Sequence, residues 1–401
     1  MACSIIMNPR TKNLADAATG RRAFAPNYAV APGASIGEAL AEKGMSQRDL
    51  AARLDVHEPI VSDLIAGKRP ITAETARGLE LVLSIPMQFW LRAEAKYREH
   101  KARIEEAERY LGWADWAKGF PFAQMVAQGW LPAVSAKDVV GRVKALLGFL
   151  QVASPEAWEG TYDRLNIAYR KTKAFPADKN HLGAWLRQGE VLARQSEVGG
   201  YDKAAFERAL ATLRQSSRQP CGDLLPRVRT ACAQAGVTVV YVPALPKSRA
   251  AGATRWLTET RPTIQLSLRG KKDDQFWFTF LHESAHVLLH GHKEVFVDLD
   301  DAEDPKEIEA NTWAADFLVK PAAWAQFVAA RPRTKAAIAT FAAGQGIPPG
   351  IVVGRLQREA RIAKAMANDL KQTVDFDQLA SGTVLDAETQ AAEWTEVLGA
   401  Y

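Results

Sequence analysis

Hydrophobic and polar positions divide the chain into three regions with different patterns. From about Ser35 to His100, apolar residues recur at helical spacing in short runs separated by tight turns, which predicts four or five short helices. Residues 101–225 keep the helical pattern and are rich in tryptophan. From about Pro226 the runs become strand-like, and helical spacing returns at Asp273. The chain is therefore predicted to be mainly α, with an α+β part that carries a small sheet.

Composition shifts at both ends complete the predicted domain organisation. Residues 1–34 are rich in Ala, Pro, Gly and Asn, and we expect a flexible leader without a secretory signal. Residues 372–401 contain six acids and no Lys or Arg, which predicts an acidic tail. Between them we predict a compact helical domain at 35–100, a helical middle region at 101–225 and a second compact domain at 226–371.

Overall composition excludes several classes of protein. Hydrophobic residues make up 47% of the 401 residues and charged residues 24%, which is typical of a globular protein with two or three domains. No run reaches the roughly 18 consecutive apolar residues that a membrane span needs, so no membrane partner is expected. Three cysteines without metal or redox spacing favour reduced thiols in a cytoplasmic protein. The net charge of +5 permits contact with nucleic acid without arguing for it.

The first region has the signals of a helix-turn-helix. Ser46 and Asp49 form a capping-box pattern before a helix that reaches Leu54. A three-residue turn then leads into a helix over residues 58–66, and Thr72 caps a fourth helix. In this arrangement the helix after the turn enters the DNA major groove. The expected DNA-contact residues are Gln47, Glu58, Pro59, Ser62, Asp63, Lys68 and Arg69.

The charge of this region leaves two interpretations open. Residues 35–100 contain nine Lys/Arg and ten Asp/Glu, so the release of counterions adds little to DNA affinity. We favour DNA binding. The alternative is a helical domain of the same fold that docks another protein.

Several motifs in this region, taken together, resemble the HigA-like antitoxins of the Xre helix-turn-helix class. The resemblance rests on Met45–Leu54, Val61-Ser62, the run from Gly67 to Thr72, and Phe89-Trp90-Leu91. It implies a repressor that binds a double-stranded DNA operator, often that of its own operon. Asp63 departs from the pattern, because a basic residue is common at that position.

The segment His282-Glu283-Ser284-Ala285-His286 is the strongest chemical signal. Residues four apart on a helix project from one face, so both imidazoles can reach one ion at about 2.0–2.1 Å. Glu283 is rotated by about 100° from its neighbour and can instead reach an attacking water as the general base. The alternative is a buried core helix that has this pattern by chance. Such a helix would leave three polar side chains to satisfy, and a metal satisfies them directly.

A catalytic zinc ion needs a third protein ligand and an open position. The predicted acidic helix at 304–318 supplies the ligand in Glu307, and Asn311 lies four residues later on the same face to orient a histidine. Glu309 lies on another face and is the reserve ligand. For His290, a helix-capping role is favoured over substrate contact.

This region resembles the ImmA/IrrE metallopeptidase family. The resemblance rests, in chain order, on the strand pair Gly252–Trp256 and Ile264–Ser267, the run His282–His290, the helix Glu307–Leu318 and the segment Ile351–Gln357. It implies a zincin-like domain that cleaves a protein, typically a transcriptional repressor. Trp313 and Lys320 depart from the residues that are usual there, and neither affects the metal ligands.

Two functions from different classes follow. In the first, the chain is a DNA-binding regulator whose endopeptidase site, with one zinc ion, cleaves a repressor or antitoxin-type partner. Strands near residues 253–257 and 263–266 then offer an edge for an extended substrate. In the second, the chain is a HigA-like antitoxin or repressor whose metal domain only senses or stabilises. Homodimer formation is left open.

Overall fold

The computed structural model describes residues 30–165, 178–291, 295–298, 304–331 and 334–375. The predicted leader up to residue 29 and residues 376–401 of the predicted acidic tail lie outside the described residues. The chain forms two compact units, which divide between Ala114 and Asp115. The predicted domain boundaries stay predictions.

The first unit is helical. Its helices are α1 (Gly33–Glu42), α2 (Gln47–Leu54), α3 (Glu58–Ile65), α4 (Ala73–Leu83) and α5 (Met87–Gly112). The predicted capping box is present, since the Ser46 hydroxyl accepts the Asp49 N–H at 3.1 Å and Asp49 accepts the Ser46 N–H at 2.9 Å. Asp55 ends α2 in the left-handed conformation, and Thr72 caps α4 as predicted.

Apolar positions at helical spacing form the core of this unit. The fully buried side chains come from every helix and include Ile36, Leu50, Val61, Leu79 and Trp90. The 26-residue α5 continues through residue 100 to Gly112, into the predicted helical middle region. The predicted boundary at residue 100 therefore falls inside one continuous helix.

The second unit surrounds a small sheet with helices. The strands are β1 (Thr238–Tyr241), β2 (Gly252–Thr258), β3 (Arg261–Leu266) and β4 (Phe296–Val297). The helices are α6 (Ala114–Lys118), α7 (Phe122–Ala127), α8 (Val139–Leu150), α9 (Pro155–Leu165), α10 (Lys179–Gln195), α11 (Lys203–Gln215), α12 (Leu224–Gln234), α13 (Asp273–Leu289), α14 (Pro305–Leu318), α15 (Pro321–Ala329), α16 (Lys335–Gln345) and α17 (Pro349–Arg358).

The sheet has the order β1-β3-β2-β4. β1 runs parallel to β3, while β2 is antiparallel to both β3 and β4. The predicted strand pair is confirmed as the β2–β3 hairpin. The expectation that residues 263–266 offer a free edge is wrong, because β3 is hydrogen-bonded on both sides. The strand-like interpretation of the segment after Pro226 is also wrong: α12 occupies it, and its buried Leu225, Val228 and Cys232 follow helical spacing.

β2 contacts a different helix on each of its two faces, since successive strand residues face opposite sides. Thr254 faces α13, where its hydroxyl lies 3.0 Å from the carbonyl oxygen of Glu283. Arg255 faces α10, where it donates to the carbonyl of Leu186 at 2.9 Å and pairs with Glu190 at 3.7 Å. The helical middle region, whose role could not be assigned from the sequence, therefore supports one face of the sheet.

The first turn of α13 is fastened to the residues that follow α17. The Oδ1 atom of the fully buried Asp273 accepts the N–H groups of Asp274 at 2.9 Å and Gln372 at 3.0 Å. Asp274 pairs with Lys371 at 2.7 Å, and Val374 is buried. The start of the predicted acidic tail is therefore part of the fold. Lys272 occupies the N-cap position of α13, and both aspartates lie inside the first turn.

Asp273 should make the stability of the protein depend on pH. Burial and the nearby Asp274 raise the pKa of Asp273 from 3.8 to about 6. The folded chain therefore holds this proton more tightly, and the stability that it contributes is lost as the pH rises through about 6. We expect Asp273→Asn to gain roughly 3 kcal/mol relative to wild type between about pH 4 and pH 7. Urea unfolding of both proteins across this range measures the difference, and a difference that is constant with pH would contradict it.

Among the described residues, no single helix is both long and apolar enough to cross a membrane. Helices α16 and α17 pass that test only when they are taken together, and they are bent by 113°. Both helices contribute buried side chains to the core of the second unit, including Ile338, Ala342, Val352 and Val353.

Candidate metal centre

Helix α13 carries the centre inside the second unit. Phe276, Trp277 and Phe280 are buried and anchor the helix in the core. His282 and His286, one turn apart, are both almost fully buried, and their Nε2 atoms lie 3.1 Å apart. The pair therefore points at one place, as the spacing in the sequence predicts.

Helix α14 brings a carboxylate to the same place. The Oε2 atom of Glu307 lies 3.0 Å from Nε2 of His282, and its Oε1 atom lies 3.5 Å from Nε2 of His286. Two imidazole nitrogens and one carboxylate oxygen thus converge within 4.8 Å of one another. This donor set matches a catalytic zinc site, which uses three protein ligands and leaves the fourth position open.

Burial and mutual contact shift the pKa values of His282, His286 and Glu307. Burial opposes charge on His282, but the hydrogen bond to Glu307 and the nearby charges of Glu283, Asp298 and Glu307 together outweigh it and raise the pKa of His282 to about 9. Burial lowers the pKa of His286 to about 4. Burial also acts against the charge of Glu307, yet its bonds to both histidines lower the pKa of Glu307 to about 2. These shifts place a proton on His282 beside the ionised Glu307, and a metal ion that binds Nε2 of His282 has to displace that proton.

Asn311 contacts His282 at Nδ1, the ring nitrogen that does not face Glu307 and His286. Its Oδ1 atom lies 3.2 Å from Nδ1 of His282 and also accepts from Arg358 at 2.9 Å. Phe278 stacks on His282 and also lies beneath the Arg358 guanidinium. An N–H on Nδ1 leaves Nε2 free to bind a metal. Asn311 therefore lies within hydrogen-bonding distance of His282, and its role in orienting the ring stays a prediction.

His286 has a different support. Its Nδ1 atom lies 2.8 Å from Nδ1 of His290, and Nε2 of His290 lies 3.3 Å from Oε2 of Glu309. If Nε2 of His286 binds metal, Nδ1 of His286 has to donate to His290, and His290 then donates to Glu309. His290 also ends α13 as its C-cap residue. Glu309, the reserve ligand in the sequence, lies against His290 and apart from the converging donors.

Glu283 occupies a closed pocket beside the histidines. Its side chain is 0% exposed, and Oε2 accepts from the Thr254 hydroxyl at 2.6 Å. Oε1 has no hydrogen-bond partner among the described residues, and a Cβ on Gly252 would lie 2.5 Å from it. Asp298 brings a second carboxylate close to both Glu283 and His282. Burial raises the pKa of Glu283 well above its usual range, so its carboxylate is a strong proton acceptor.

Sequence pattern alone did not reveal the roles of Thr254, Gly252 and Asp298, or the contact between His290 and His286. Thr254 and Gly252 are two residues apart in β2 and share its α13 face, a relation that only the sheet register reveals. Asp298 directly follows the two-residue β4, which is too short to show a period in the sequence.

The predicted DNA-contact residues lie on and beside α3 in the first unit. Gln47, Glu58, Pro59, Ser62, Lys68 and Arg69 are exposed, and Asp63 is half-buried. The carbonyl of Asp63 accepts the N–H groups of Lys68 at 2.9 Å and Arg69 at 3.2 Å, so the turn after α3 is ordered by the helix itself. The structure therefore places Gln47 at the start of α2 and the other six residues on α3 and the turn that follows it.

His290 should contribute to metal affinity through His286. We expect His290→Phe, which keeps a ring but removes the acceptor, to weaken zinc binding by about 10–100-fold. Competition with a chromophoric chelator measures the affinity. Glu309→Gln is the matched control, because it keeps the His290 imidazole and should cost less. An unchanged affinity in His290→Phe would show that His286 needs no such partner.

Comparison with protein-family models finds two matches. A model described as helix-turn-helix matches residues 36–90, which extend from α1 into α5. The peptidase M78 model, described as IrrE N-terminal-like domain, matches residues 232–356, which contain all four described strands and both α13 and α14. Searches of curated proteins and of solved structures find no match.

Proposed function

The chain is a fusion of a helix-turn-helix domain and an ImmA/IrrE-like domain of the M78 peptidase family, and from this premise we propose a transcriptional regulator with a zinc-dependent endopeptidase site. Its substrate is a repressor or antitoxin-type partner protein. The observation that carries the proposal is the convergence of His282, His286 and Glu307 beside the buried Glu283.

In this proposal His282, His286 and Glu307 hold one zinc ion. Bound there, zinc acidifies water and polarises the carbonyl of the scissile peptide bond. Glu283 accepts a proton from the attacking water and passes it to the leaving amine. The Thr254 hydroxyl fixes Oε2 of Glu283, so that Oε1 is the atom left to take the proton. Asn311 and His290 keep the two imidazoles in the orientation that binds metal.

A second candidate function is a HigA-like antitoxin or repressor whose metal domain senses or stabilises without cleaving. The complete burial of Glu283 favours it, because a catalytic base has to reach its substrate. The two functions differ in cells that carry Glu283→Gln, which keeps the metal ligands. New protein N-termini and repression of the target genes are compared between wild-type and variant cells. Full relief of repression by the variant, without new N-termini, would rule out the peptidase function.

For the first unit we propose binding to a double-stranded DNA operator in the cytoplasm, with Gln47, Glu58, Pro59, Ser62 and Asp63 near base edges. Lys68 and Arg69, beyond α3, lie where phosphates pass. The mass of the complex with operator DNA shows whether one chain or a homodimer binds. The near balance of charge in residues 35–100 means that affinity depends on few phosphate contacts.

Lys68 and Arg69 should act through phosphates alone. We expect Lys68→Ala and Arg69→Ala each to weaken DNA binding similarly on all sequences and to reduce the slope of log affinity against log salt by about 1. Fluorescence anisotropy at several salt concentrations measures this slope. Lys43→Ala, remote in sequence from the α3 turn, is the control. A loss of affinity confined to one DNA sequence would assign these residues to base recognition.

A further inference from the structure

A large cleft opens beside the metal centre in the second unit. Its volume is about 1090 Å³, and its lining includes Phe278, Asp298 and Asn311, which all lie against His282 or Glu283. The remaining walls come from the loop after β3, from α14 and α17, and from the segment after α17. The cleft therefore leads from the surface towards the site.

The walls of this cleft, called here the basic cleft, carry an excess of positive charge. Eight Lys or Arg side chains line it against four Asp or Glu. Three of those acids are already ion-paired, since Asp274 pairs with Lys371, and Asp316 and Glu359 share Arg355. Within the described part of the chain, no carboxylate pairs with Arg269, Lys271 or Lys364. All three are exposed, so the cleft offers uncompensated positive charge to an occupant.

The chain itself lines this cleft just before a segment of the opposite charge. Gln372 is bonded to Asp273, and the buried Val374 is part of the cleft lining. The next residues, 376–401, contain five acids and no Lys or Arg. Twenty-six residues can extend to roughly 90 Å, far more than the cleft requires. A segment tethered at the wall is held at an effective concentration on the order of millimolar.

We infer that residues 376–401 bind in the basic cleft and compete there with the acidic segment of a substrate. The occupant is this segment because it combines complementary charge with attachment at the cleft wall. Its consequence for cleavage rests on the proposed peptidase function, whereas the binding itself does not.

The binding is tested without any activity. A chain that ends at Asp375 keeps the Gln372 and Val374 contacts and is mixed with a fluorescein-labelled peptide of residues 376–401. We expect saturable binding by fluorescence anisotropy, and binding weaker by about tenfold or more to the full-length chain, whose own segment occupies the cleft. The peptide with its five acids changed to Asn or Gln should not bind.

Charge reversal locates the site of binding. Lys271→Glu together with Lys364→Glu should weaken peptide binding by about tenfold or more, because two attractions become repulsions. Arg208→Glu, an exposed change on α11 outside the cleft, is the matched control. Equal binding by the truncated and full-length chains, or equal losses in the cleft and control variants, would overturn the inference. The outcome does not depend on catalysis, because the same measurement can be made in Glu283→Gln.

Discussion

Replacing Glu283 with glutamine will lower the rate of peptide-bond hydrolysis by about 10²–10⁴-fold while the protein keeps its metal. Glutamine has nearly the same shape as glutamate and can still accept from Thr254, but it cannot take a proton from water. Burial raises the pKa of Glu283 well above its usual range, so the substitution removes a strong proton acceptor from beside the converging donors.

The rate of hydrolysis is measured with purified protein, and the substrate is a fragment of the partner protein whose cleavage was detected in cells. Zinc content is measured in the same samples. Glu309→Gln is the matched control, because it removes a carboxylate near the site that lies against His290 instead of the converging donors. A Glu283→Gln protein that retains both its zinc and its full rate would exclude Glu283 as the general base.

Replacing Glu307 with alanine will reduce zinc affinity by more than about 10²-fold, a larger loss than supporting residues cause. Two imidazoles remain, but the carboxylate that neutralises the ion is removed from a buried site. Dialysis against a chelator series, followed by metal analysis, measures the affinity of each variant.

Glu309→Ala is the decisive comparison, since it removes the acid that lies only two residues away on the same helix. It should retain zinc nearly as well as wild type, with the modest loss that follows from freeing His290. If Glu309→Ala loses the metal and Glu307→Ala keeps it, the assignment of the third ligand is reversed.

The sequence predicted those parts of the site that depend on helical spacing alone. His282 and His286 project together because they are four residues apart on a buried helix. Glu307 and Asn311 share a face of α14 for the same reason, and both meet His282. In the first unit, Ser46, Asp49 and Thr72 predicted helix starts because capping is a local interaction.

The parts that depend on tertiary structure could not be predicted in this way. Thr254 reaches Glu283 across 29 positions, and Gln265 of β3 donates to the carbonyl of Trp185 in α10 across 80 positions. Sequence pattern specifies which face of a strand is buried, but it does not identify the helix that covers it. The contact between His286 and His290 was also missed, although the spacing is helical, because a capping role explained His290 equally well.

The position of α10 has a practical consequence for dissecting this chain. β2 presents Thr254 to Glu283 on one face and rests through Arg255 on α10 on the other, and α10 precedes the family-matched range of 232–356. A fragment trimmed to that range would keep every metal-binding side chain yet leave the buried guanidinium of Arg255 without its acceptor on Leu186. Such a fragment should refold poorly or misplace the threonine, so an autonomous unit that carries the metal centre should begin no later than residue 178.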